Sequence, residues 1–127
     1  MKLEYLSSGS PDCPLVRLYE FDMTDAKRLR EAFRSLADGS LQDVPLHDEW
    51  WVKSIAGCHL DLRRGAKDLG VVERLPSKFE CVLTGEGWRE VAELTDPFCT
   101  SESAQEPFQW LNEDGEVSLL LTPSGRW

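Results

Sequence analysis

Phe108-Gln-Trp-Leu-Asn-Glu-Asp-Gly-Glu-Val-Ser-Leu-Leu-Leu121 sets two apolar runs on either side of a polar turn, Asn112-Glu113-Asp114-Gly115. An Asp-Gly step tolerates the positive backbone angles of a tight turn. The stretch therefore predicts a β-hairpin, Phe108–Leu111 against Val117–Leu121. Leu119, Leu120 and Leu121 are consecutive and leave no polar face, which predicts a strand buried on both sides and central in its sheet. Pro123-Ser124-Gly125 then turns the chain toward Trp127.

Working outward, a second hairpin is expected at the other end of the sequence. Lys2 to Leu6 alternates as a strand does, Ser7-Ser8-Gly9-Ser10-Pro11-Asp12 is a cluster of turn formers, and Leu15 to Phe21 alternates again. Between the hairpins, Ala26, Leu29, Phe33, Leu36 and Ala37 recur at helical spacing. Thr24 is the expected N-cap of that helix, and Asp38-Gly39 supplies its end. Residues 40–47 read as a loop. Glu49 to Ala56 and Cys58 to Arg63 read as strands interrupted at Gly57, Val71 to Leu75 as a short edge strand, and Phe79 to Leu83 as a strand. Thr84 caps a second helix over about residues 85–95, with Trp88, Val91, Ala92 and Thr95 on one face and Pro97 closing it. Residues 99–107 read as a polar loop.

The order is ββα-βββ-α-ββ, without regular βαβ alternation. It predicts a single α+β domain over residues 1–127, with two helices packed on one face of a mostly antiparallel sheet of about six to eight strands. With 127 residues, 41% of them hydrophobic, the chain is one ordinary domain with enough apolar surface for a core. Phe79-Glu-Cys-Val-Leu-Thr-Gly-Glu-Gly-Trp88 and Val117-Ser-Leu-Leu-Leu-Thr-Pro-Ser-Gly-Arg-Trp127 echo one another. Similar strand-end chemistry accounts for so short a match better than duplication.

Charge narrows the classes of function. The formal net charge is −9. Between residues 86 and 116 stand Glu86, Glu90, Glu93, Asp96, Glu102, Glu106, Glu113, Asp114 and Glu116, against Arg89 alone. Such a field repels phosphate backbones and anionic headgroups, so neither nucleic acid nor a membrane surface is an expected partner. No apolar run is long enough to span a bilayer, and Met1-Lys2-Leu3-Glu4 does not open a secretory signal. Cys13, Cys58, Cys81 and Cys99 are widely separated and suit free thiols. A cytoplasmic, reducing setting is the expectation.

No chemistry-bearing motif stands out. His59, Asp61 and Arg63 alternate along one strand and would project from the same face, opposite Cys58, Leu60 and Leu62. An imidazole, a carboxylate and a guanidinium in a row are the residue types for binding an anion or relaying a proton; a solvated strand face has the same pattern. His47, beside Asp48 and Glu49, reads as loop surface. Metal-ligand spacings and phosphate-cradling glycine patterns are missing, so no metal or cofactor is expected.

The tryptophans point to binding. Trp50 and Trp51 are adjacent, so on a strand one of them faces away from whatever the other packs on. Trp88 and Trp110 suit the core, whereas Trp127 either docks back on the fold or is offered to a partner. Tryptophan provides large contact area at small entropic cost. These features predict a non-catalytic protein-interaction domain. Its contact surface would combine a tryptophan of the Trp50–Trp51 pair, Trp127 and the acidic 86–116 segment. The expected partner is a basic protein surface or a second copy, as in a homodimer. The alternative is a small-molecule (anion) binding protein or enzyme using His59, Asp61 and Arg63.

Overall fold

A computed structural model of the chain describes residues 1–100 and 107–127. Its elements are β1 (Lys2–Leu6), β2 (Leu15–Tyr19), α1 (Met23–Asp38), β3 (Asp43–Pro45), β4 (Lys53–Ser54), β5 (His59–Arg64), β6 (Gly70–Leu75), β7 (Lys78–Leu83), α2 (Gly85–Thr95), α3 (Pro97–Thr100), β8 (Gln109–Asn112) and β9 (Ser118–Thr122). The class is α+β, but the single antiparallel sheet is replaced by two mixed sheets. One has the order β4-β1-β2-β9-β8 and the other β3-β5-β7-β6.

Parallel pairings account for the difference. Both expected hairpins form, β1 with β2 and β8 with β9. They then join through a parallel contact of β2 with β9, in which Val16 meets Leu119 and Leu18 meets Leu121. That register puts Leu3, Val16, Leu18, Leu119 and Leu121 on the core face, and Glu4, Arg17 and Leu120 on the other. In the second sheet β6 and β7 form a hairpin, and β5 lies parallel to β7. A bridge from Val71 to Val117 ties the two sheets together. The buried core draws on both sheets and on α1 and α2.

The helices follow their sequence signals closely. Ala26, Leu29, Phe33 and Leu36 of α1 are buried, as are Trp88, Val91, Ala92 and Thr95 of α2. Asp22, rather than Thr24, caps α1, because its carboxylate accepts from the Asp25 N–H at 2.8 Å and the first turn starts earlier. Gly39 ends the helix with a φ of +82°. Thr84 caps α2, whose Gly87 N–H donates to the threonine hydroxyl at 3.1 Å. Pro97 opens the short α3 after α2 has ended at Thr95. The polar loop expected at 99–107 therefore begins inside α3, and its residues 101–106 lie outside the described residues.

The segment from 40 to 58 departs most from expectation. Asp43–Pro45 is a strand and Leu46–Asp48 a 3₁₀ turn, where a loop was expected. The strand expected over Glu49–Ala56 shrinks to Lys53–Ser54. Its end is set by Ala56 and Gly57, with φ of +53° and +71°, and the Cys58 N–H donates to the Ile55 carbonyl at 3.1 Å. Two left-handed residues in succession make a tight reversal of the primed type. Trp110, expected in the core, is half-buried instead. Its pairing with Leu120 puts it on the sheet's outer face.

Candidate functional site

Trp50 and Trp51 sit on a turn rather than a strand. The Val52 N–H closes that turn on the Glu49 carbonyl at 3.0 Å. The turn is fastened to β1 by the Lys53 N–H on the Met1 carbonyl at 2.8 Å and the Ile55 N–H on the Leu3 carbonyl at 2.9 Å. Trp51 is half-buried against the core. Trp50 points outward and is 80% exposed. The Arg28 guanidinium carbon lies 4.5 Å from the centre of the Trp50 ring, within the range of a cation–π contact.

The acidic α2 does not border this surface. Arg30 and Arg34 of α1 reach Asp96, the residue that follows α2, at 3.0 and 3.7 Å. At helical pitch these two arginines lie about 200° and 240° around the helix from Arg28. Trp50 and α2 therefore flank α1 on different sides. Glu86, Glu90 and Glu93 are exposed on α2, and Glu113, Asp114 and Glu116 at the β8–β9 turn. Glu102 and Glu106 lie outside the described residues. Trp127 folds back on the chain: its indole N–H donates to Asp12 at 3.0 Å, and its ring is 6.0 Å from the Arg17 guanidinium carbon.

His59, Asp61 and Arg63 do project together from β5, while Leu60 and Leu62 on the opposite face are fully buried. Each finds a partner on a neighbouring strand or turn. The His59 ring stacks on His47 with centroids 4.1 Å apart and planes within 9°. His47 is held over β5 by Leu60, whose N–H and C=O lie 3.0 and 3.2 Å from the ring's Nδ1. Arg63 reaches Glu80 at 3.4 Å, and Glu80 also holds Arg74 at 3.0 Å.

Asp61 differs from the rest of the row. One of its carboxylate oxygens is buried without a donor facing it, and its neighbour is a second carboxyl, Asp43. Burial raises its pKa to about 7; the hydrogen bond and charge of Asp43 add to the shift, and Arg63 opposes it. A proton on the pair would supply the missing donor. Burial also disfavours the thiolate at three cysteines: Cys58 is pushed up to about 12, and Cys81 and Cys99 are pushed up as well. All four cysteines are free.

Along the β5 row Arg63 is exposed, and His59 and Asp61 are half-buried. Neither the cleft of about 440 Å³ between α1 and α2 nor the cleft of about 790 Å³ where the sheets meet is lined by His59, Asp61 or Arg63. Among the described residues, no three His, Cys, Asp or Glu side chains gather as they would around a metal ion, and no helix is long and apolar enough to cross a membrane. Compared with known proteins, the chain matches no family model, no curated protein and no solved structure.

Sequence reasoning missed Arg28 and Asp43 as parts of these arrangements and took His47 for loop surface. Arg28 is one of several basic residues on α1, and only the path of the 49–52 turn singles it out. Asp43 lies in a segment without strand alternation, so its pairing with β5 left no trace.

Proposed function

We propose that this chain is a non-catalytic protein-interaction domain whose contact surface is anchored by Trp50 on the Arg28 flank of α1. The exposure of Trp50 carries this reading. Lone exposed leucines are ordinary on protein surfaces. An indole left 80% in water on a turn tied to the sheet is an uncommonly large apolar group held in a fixed place. Tryptophan and arginine are the side chains most enriched where binding energy concentrates. The charge of −9 favours a basic partner surface, and Asp48 and Glu49 beside Trp50 add to that field. A second copy is the other candidate.

The alternative, anion binding on β5, is weakened by its surroundings. Asp43, Asp61 and Glu80 flank Arg63, and Glu80 already holds its guanidinium. An incoming anion would compete with carboxylates on every side. Proton exchange by the Asp43–Asp61 pair is the part of that reading with an observation in its favour, the raised Asp61.

Photo-crosslinking from position 50 tests the proposal. A chain with benzoylphenylalanine in place of Trp50 is expected to form one dominant adduct, with a basic protein or a second copy, that excess wild-type chain competes away. Absence of any competed adduct contradicts the proposal.

A further inference from the structure

We propose that the free edge of β6 is a second binding site, which takes an extended, basic peptide segment as an added strand. The site stands independently of the Trp50 surface. β6 is the outermost strand of its sheet. The Val71 N–H and C=O turn away from β7, toward Gly115, and Val71 bridges Val117. In an antiparallel ladder this orientation repeats at every second residue, so the Glu73 N–H and C=O point the same way. Glu73 still pairs in register with Phe79, ahead of the irregularity between Glu73 and Leu75. Beyond the Val71–Val117 bridge, no strand covers this edge among the described residues.

The edge opens on the cleft of about 790 Å³ between the two sheets. Tyr5, Val72 and Val117 give that cleft an apolar wall, and Leu69 and Leu75, 45% and 59% exposed, stand at the two ends of β6. Strand addition uses these two features together, backbone groups for affinity and apolar pockets for alternate side chains. Charge selects the occupant. Glu73, Asp114 and Glu116 line the cleft against Arg74, which Glu80 already holds. A segment alternating apolar and cationic side chains fits; an acidic one is repelled. The same carboxylates and the irregular ladder after Glu73 keep a second copy of this acidic chain from pairing edge to edge.

The test titrates the wild-type chain with an eight-residue peptide alternating Val and Lys, and separately with one alternating Val and Glu. Amide hydrogen exchange is read by NMR. The expected result is that the Lys peptide slows exchange of the Glu73 amide about tenfold or more, with protection fading between 50 and 300 mM salt. The Glu peptide should have no effect. Reversing the cleft's charge with Glu73→Lys and Glu116→Lys, both exposed positions, should exchange the preference. An unchanged Glu73 amide, or equal protection by both peptides, overturns the proposal.

Discussion

The Arg28 guanidinium carbon stands 4.5 Å from the centre of the Trp50 ring, and this contact is made on a residue that is otherwise left in water. An exposed cation–π pair is worth about 0.5–1 kcal/mol, so the fold draws little from Trp50. Trp88 is the opposite case: fully buried, stacked on Phe33 at 5.6 Å, its indole N–H donating to the Arg63 carbonyl at 2.9 Å. Urea unfolding separates the two roles. Trp50→Ala should change stability by no more than about 1 kcal/mol, whereas Trp88→Ala should cost about 3–5 kcal/mol. A large loss from Trp50→Ala would make that residue structural.

The Asp43–Asp61 pair gives stability a pH dependence of defined sign. In the folded chain Asp61 keeps its proton up to about pH 7, while an unfolded aspartate releases it near pH 4. Between those limits the folded state binds more protons, so stability falls as pH rises. The contribution is complete below about pH 4 and gone above about pH 7. Because the pair is partly exposed, screening reduces the change to about 1 kcal/mol. Asp61→Asn retains a donor toward Asp43 and should abolish this slope, making the variant the more stable protein at pH 8. Parallel wild-type and variant curves from pH 4.5 to 8 would refute the shared proton.

The end of α1 is held from a distance. Its last turn contains no basic residue, yet Arg64 of β5 donates to the Leu36 and Ala37 carbonyls at 2.8 and 2.6 Å. Those carbonyls have no partner within the helix, and a cation is favoured at the negative end of its dipole. Arg64→Met should cost about 1.5–3 kcal/mol in urea unfolding. Gly85→Ala should be destabilising too, since a β-carbon there falls 2.5 Å from the same guanidinium nitrogen. A neutral Arg64→Met would show that water satisfies these carbonyls equally well.

What could be read in the sequence was what is local. The stripe from Ala26 to Leu36 and Thr84 before α2 are each written in a few consecutive residues, and each matches the structure. The β8–β9 hairpin forms as well, but its connection spans residues 113–117, and neither Asp114 nor Gly115 takes the positive φ expected of an Asp-Gly turn. Partner choice between strands is not written that way. Leu15–Tyr19 and Ser118–Thr122 pair in parallel across the length of the chain, and no periodicity announces such a pairing. The Ala56–Gly57 reversal was concealed because alanine seldom takes a positive φ. At the candidate site, alternation alone placed His59, Asp61 and Arg63 on one face. Their partners His47 and Asp43 come from a segment whose path depends on tertiary packing.

The claim that Trp50 anchors a partner is tested most directly by titration calorimetry against the protein crosslinked from position 50, or by sedimentation equilibrium where that protein is a second copy. Trp50→Ala should weaken association by about 30-fold or more, the loss of about 2 kcal/mol that marks an anchoring side chain, with urea stability held within about 1 kcal/mol of wild type. An affinity within about twofold of wild type, a difference of under half a kcal/mol, would contradict the account.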